Sequence, residues 1–123
     1  MQKTIKILLT EDKKINQEII IGILEGSNIK IDIANNGKEA IDKYQKQNYA
    51  LILMDIDMPI MNGYEATQLI RLKDKNIPII ALTAHNSLES ILKIKQVGMN
   101  ECINKPVKVE KLYETFFKYI NVA

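Results

Sequence analysis

Tyr49-Ala50-Leu51-Ile52-Leu53-Met54-Asp55-Ile56-Asp57-Met58-Pro59 decides the architecture of this chain. Residues 49–54 are its most continuous apolar run of strand length, which predicts a strand buried on both faces and therefore central in a sheet. A carboxylate follows immediately at Asp55, and another two residues later at Asp57.

Moving outward in both directions, strand-length runs alternate with segments of helical period. Residues 4–9 predict a buried strand, and then a helix with Ile15, Ile19, Ile23 and Leu24 on one face. Gly26-Ser27-Asn28 stops that helix. Residues 29–33 alternate at period two, as a half-exposed edge strand does. Asn35-Asn36-Gly37 turns the chain into a helix striped by Ala40, Ile41 and Tyr44. On the other side, Pro59 and Gly63 frame a loop before a helix carrying Ala66, Leu69 and Ile70. Residues 77–82 predict a fourth strand, 87–97 a weaker helix closed by Gly98, and 101–104 a short fifth strand. Val109, Leu112, Tyr113, Phe116, Phe117 and Ile120 stripe the last helix.

Five strand–helix units in strict alternation imply a parallel α/β sheet with helices on both faces. In such sheets the working site lies beyond the carboxyl ends of the strands. Glu11, Asp12, Asp55, Thr83 and Lys105 all stand just after predicted strands.

At 123 residues the chain is sized for one domain, expected to span 1–123. No apolar run approaches the roughly 18 residues of a membrane span, and no secretory pattern opens the sequence. Seventeen basic and fifteen acidic residues leave a net charge of +2, with lysines scattered rather than gathered into a nucleic-acid footprint. The single cysteine, Cys102, cannot form an internal disulfide, which fits a reducing cytoplasm. The expected location is cytoplasmic, as a free protein or as the cytoplasmic part of a membrane-bound kinase, with no membrane or nucleic-acid contact by this segment.

Carboxylates crowded into one pocket repel each other, and a hard cation with oxygen ligands is the usual remedy. Magnesium suits Asp12 and Asp55 with Glu11 in support. Asp55, at a central strand end, is the candidate nucleophile toward phosphorus. Lys105 would pair with the carboxylate or a new phosphoryl group, while the Thr83 hydroxyl and Ala84 N–H offer donors to phosphoryl oxygens. Taken singly, Glu11, Asp12 and Asp57 read as loop acids or caps, and Thr83 as a turn residue; their joint placement sets them apart.

Glu11-Asp12, the stretch from Met54 to Gly63, Leu82-Thr83-Ala84 and Lys105-Pro106 together resemble the signature of response-regulator receiver domains, over essentially the whole chain. Order and spacing are similar to the chemotaxis type. Met58-Pro59-Ile60-Met61-Asn62-Gly63-Tyr64-Glu65-Ala66-Thr67 most resembles receivers of hybrid histidine kinases. The resemblance implies a flavodoxin-like, doubly wound sheet of order 2-1-3-4-5 with five helices. It implies a phosphorelay module that accepts a phosphoryl group on Asp55 from a phosphohistidine of a histidine kinase or histidine phosphotransfer protein. Mg2+ would be held by Asp12, Asp55 and the Asp57 backbone carbonyl, with Glu11 acting through a metal-bound water. Lys105-Pro106 would be cis, and downstream proteins would dock on the fourth helix, fifth strand and last helix. Such a module catalyses only its own phosphoryl transfer and loss.

The chain departs from the family pattern at the switch position. Three residues before the lysine the family carries an aromatic; here stands Cys102, which cannot perform an aromatic rotamer switch. Asp57 and His85, each two residues past a site residue, are candidate modulators of acyl phosphate lifetime, or else solvent-facing loop residues. Lys13 is a weaker candidate competitor of the metal. A haloacid-dehalogenase-like phosphatase also uses Asp-x-Asp, Thr, Lys and magnesium, but its acidic pair follows the lysine, where this chain has only Glu110 and Glu114. A flavin binder would need a hydroxyl- and glycine-rich loop where Thr10-Glu11-Asp12-Lys13-Lys14 stands. A receiver-like fold that is never phosphorylated would not need every one of these groups.

Overall fold

A computed structural model describes residues 4–84 and 86–120. Strands β1 (Ile5–Thr10), β2 (Ile29–Ala34), β3 (Leu51–Asp55), β4 (Ile79–Thr83) and β5 (Glu101–Asn104) alternate with helices α1 (Lys14–Leu24), α2 (Gly37–Lys46), α3 (Gly63–Arg71), α4 (Leu88–Val97) and α5 (Val109–Tyr119). The strands form one parallel sheet in the order β2-β1-β3-β4-β5, as the family resemblance implies.

Parallel strands covered on both faces need apolar side chains at every position, and β3 and β4 are buried throughout. Their two-residue period sorts the core into two layers. Ile7, Leu9, Leu51, Leu53, Ile80, Leu82 and Ile103 pack toward Ile20 and Leu24 of α1 and Leu112 and Phe116 of α5. Leu8, Ile52, Met54, Ile79 and Ala81 pack toward Ala40 of α2, Ala66 and Ile70 of α3, and Ile94 and Val97 of α4. No helix among the described residues is long and apolar enough to cross a membrane.

Local chemistry starts and stops the helices. Asn36 accepts from the Glu39 N–H at the head of α2, and Asn62 and Glu65 form a reciprocal capping box on α3. Ser87 caps α4, which ends at Gly98 in the left-handed region at φ 102°.

Several expectations shift by one or two residues or turn over. Thr4, Tyr49, Ala50, Ile77 and Pro78 fall outside their strands, and β1 runs on through Thr10. Helix α1 keeps only part of its predicted face: Leu24 is buried and Ile23 packs on the core, but Ile15 is 68% exposed and Ile19 42%, while Gln17 and Ile20 are buried in their place. The run Ile19-Ile20-Ile21 permits either register, and contacts from other segments choose. Leu69, Val109 and Phe117 are likewise exposed, because Ile70, Leu112 and Phe116 already fill the adjacent core positions.

Candidate functional site

The site follows from parity. Ile7 and Leu9 of β1, Leu51 and Leu53 of β3, and Ile103 of β5 all face the α1–α5 layer. One further step of the two-residue period reaches Glu11 just past β1, Asp55 at the last position of β3 and Lys105 just past β5, on that same face. Register aligns them laterally, since Thr10 pairs with Met54, Asp55 with Leu82, and Thr83 with Asn104.

Side chains meet accordingly. Lys105 Nζ lies 2.9 Å from Glu11 Oε1 and 3.0 Å from Asp55 Oδ1, so one ammonium is shared by two carboxylates. Glu11 is fully buried and Asp55 only 4% exposed. The Lys13 N–H donates to Glu11 Oε2 at 3.1 Å. Oxygens of Glu11, Asp12 and Asp55 lie within 4.8 Å of one another. Asp12 Oδ1 is buried with no hydrogen-bond partner among the described residues, and Glu11 Oε1 has its ion pair without hydrogen-bond alignment. Buried acceptors left so are costly, and a hard cation would satisfy them.

Electrostatics agree. Burial, only partly offset by Lys105, and then the Glu11 carboxylate push the Asp55 carboxyl well above the usual range. Burial would raise Glu11 too, but Lys105 and the Lys13 N–H hold it below its ordinary value. Burial would lower Lys105, yet its two carboxylates prevail and keep it firmly charged. Three acids and one base leave the pocket with an excess of negative charge, a setting made for a cation.

Thr83 is buried at the end of β4, and its carbonyl accepts from the Lys105 N–H at 2.8 Å. Ala84 next to it is exposed, as is Asp57 at the head of the β3–α3 loop. The Lys105-Pro106 bond is cis. His85 lies outside the described residues. Cys102 is half-buried on β5 against the α2–α4 layer, the same layer that Tyr64 of α3 packs on. Below Asp55, Gly63 opens α3 with its N–H donating to Ile56 O at 2.9 Å; a Cβ there would lie 2.2 Å from the Asp55 carbonyl oxygen.

Sequence reasoning missed one residue at this edge. Gln17 is buried on α1, and its Nε2 donates to the Glu11 carbonyl at 2.6 Å and to Asn35 Oδ1 at 3.0 Å. Its only sequence signal was a polar residue three before Ile20 and seven before Leu24.

A doubly wound parallel sheet whose switch-point edge carries buried acids around one lysine places a cation-ready site where folds of this class bind their ligands. Residues 7–117 match the model of the response regulator receiver domain, and the chain belongs to that family. It is a receiver domain of two-component signalling. Hybrid signal transduction histidine kinase B of Dictyostelium discoideum is 37% identical over 98% of this chain, which spans only 7% of that kinase. Among solved structures, the receiver domain of a Pseudomonas aeruginosa sensor histidine kinase, with magnesium coordinated in its active site cleft, superposes with a TM-score of 0.88 at 33% identity, covering 96% of this chain and 98% of that one. A Saccharomyces cerevisiae response regulator's receiver domain, crystallised with the histidine phosphotransfer protein Ypd1, gives a TM-score of 0.88 at 30% identity, covering 97% of this chain and 90% of that one. These findings leave no support for the dehalogenase-like phosphatase.

Proposed function

We propose that Asp55 accepts a phosphoryl group from a phosphohistidine of a histidine kinase or histidine phosphotransfer protein. The observation that carries this reading is Lys105 bridging Glu11 and Asp55 while Asp12 Oδ1 stays buried with no hydrogen-bond partner among the described residues. The Asp12 and Asp55 carboxylates and the Asp57 main-chain carbonyl would hold Mg2+, whose chemistry is to neutralise charge on phosphoryl oxygens and orient them.

The Asp55 carboxylate attacks phosphorus, and the bond from phosphorus to the imidazole nitrogen breaks. Its electron pair stays on that nitrogen, giving the neutral ring when the other nitrogen carries the proton. The transfer needs positioning more than covalent help. Lys105, already 3.0 Å from Asp55 Oδ1, pairs with the charge that arrives. The Thr83 hydroxyl and the Ala84 N–H donate to phosphoryl oxygens, and Asp57 and His85 tune how long the acyl phosphate lasts. With Cys102 at the switch position, the signal travels through the β4–α4 loop and backbone rather than an aromatic rotamer. Downstream contact falls on α4, β5 and α5, where Leu88, Leu92 and Phe117 hold apolar surface in solvent. We place the module in the cytoplasm, as a phosphoacceptor rather than a multiple-turnover enzyme.

Incubation with a small phosphodonor and Mg2+, followed by intact-mass analysis, is expected to add one phosphoryl group to the wild type. Asp55→Asn, or chelation of the metal, should abolish the gain. Unchanged mass in the wild type, or equal labelling of Asp55→Asn, would overturn the assignment.

A further inference from the structure

Gln17 is a polar side chain where an amphipathic helix ordinarily places an apolar one. Helix α1 buries it while leaving Ile15 and Ile19 in solvent. What it gains there is a bond network with one direction. The Glu39 carboxylate can only accept, so Asn35 faces it with Nδ2, at 3.2 Å. That turns Asn35 Oδ1 toward Gln17, which must answer with Nε2. The second Nε2 proton then goes to the Glu11 carbonyl, another obligate acceptor. The amide is thereby locked between the β1–α1 and β2–α2 loops.

The Glu11 carbonyl belongs to the peptide unit that joins Glu11 to Asp12. Fixing it sets the direction in which Asp12 leaves the backbone. No hydrogen bond reaches Asp12 Oδ1 among the described residues, so its aim toward Asp55 depends on that peptide. Resting on the reading of Asp12 and Asp55 as cation ligands, we propose that Gln17 is a positioning residue: it orients the acidic pair that follows β1 for a divalent cation without touching the ion.

Gln17→Met removes both donors at nearly constant volume, and Gln17→Glu keeps the shape but sets acceptors against acceptors. The Mg2+ dissociation constant of the full chain would be measured by calorimetry, beside the thermal midpoint without metal. Outer hydrogen-bond partners of metal sites are typically worth roughly 10- to 100-fold in affinity, so weakening of about tenfold or more is expected in both variants. Gln45→Met, on the exposed side of α2, should bind as wild type. A merely structural glutamine would lower the metal-free midpoint and leave the dissociation constant alone; that result overturns the proposal. Should neither Gln17 variant fold, Asn35→Ala at an exposed position frees the same amide. Weakening of several-fold there supports the role, and unchanged binding refutes it. A wild type that binds no Mg2+ would instead overturn the cation site, and this inference with it.

Discussion

The two ends of the sheet solve opposite problems with the same kinds of side chain. At the amino-terminal end, between the tails of α2, α3 and α4, Arg71 donates from Nε to Gly98 O at 2.8 Å, from Nη1 to Asp74 O at 3.1 Å and from Nη2 to Asn100 Oδ1 at 3.0 Å. Asn100 Oδ1 also accepts from the Ile79 N–H. Asp74 accepts from the N–H groups of Asn76 and Ile77 and from the Tyr44 hydroxyl, which holds its carboxyl below the usual range. Every one of these groups has a partner. At the carboxyl-terminal end, three carboxylates crowd together, two of them share one ammonium, and a buried Asp12 oxygen has no hydrogen bond among the described residues. One end holds the fold together, and the other keeps unspent affinity for a ligand. The chain places stability and chemistry about one strand length apart.

Breaking the satisfied end should have the largest effect on stability. Arg71→Ala removes three charge-assisted bonds and takes this donor from the Gly98 and Asp74 carbonyls, while Asn100 Oδ1 keeps the Ile79 N–H, which is expected to cost about 3 kcal/mol in urea unfolding. Mg2+ affinity should not change, and a change would show that the two ends are not separable.

The acidic end should respond in the opposite direction. Asp55→Asn takes a buried like charge from beside Glu11 and Asp12, so the metal-free protein is expected to gain about 1 kcal/mol. Mg2+ in large excess should then raise the wild-type melting temperature far more than that of the variant. Loss of stability in Asp55→Asn would mean that the Lys105 pair outweighs the repulsion.

The smallest effect concerns backbone strain at the rim of the same site. Ile60 has φ 69° and is 80% exposed. A β-branched residue in the left-handed region costs about 1–2 kcal/mol, and asparagine tolerates that region better. Ile60→Asn is expected to stabilise by roughly 0.5–1 kcal/mol in the same unfolding assay. A loss instead would show that the exposed isoleucine makes a contact outweighing its strain.

Much of the acidic end was legible in the sequence, and almost none of the satisfied end. Glu11, Asp55 and Lys105 announce themselves because each follows an apolar run, and the parallel sheet converts place in sequence into place in space. Arg71, Asp74 and Asn100 belong to a helix tail and two loops, with no shared period to connect them. Gln17 was hidden for a related reason. Its partners come from the β1–α1 and β2–α2 loops, while α1 itself offers two plausible isoleucine stripes. Periodicity reports which side chains avoid water; it does not report which polar atoms find each other across elements. Phe117 escaped in the same way, since Phe116, Tyr113 and Tyr119 already supply the aromatic packing beneath α5.

Gly63 has a consequence for how this site can vary. With 2.2 Å between a would-be Cβ and the Asp55 carbonyl oxygen, α3 rests backbone on backbone against the residue that carries the acceptor. Any side chain at that position would jack the helix off its seat and tilt Asp55 along with it. Side chains around Asp55 can change without touching that seat, whereas the mounting itself admits a single occupant.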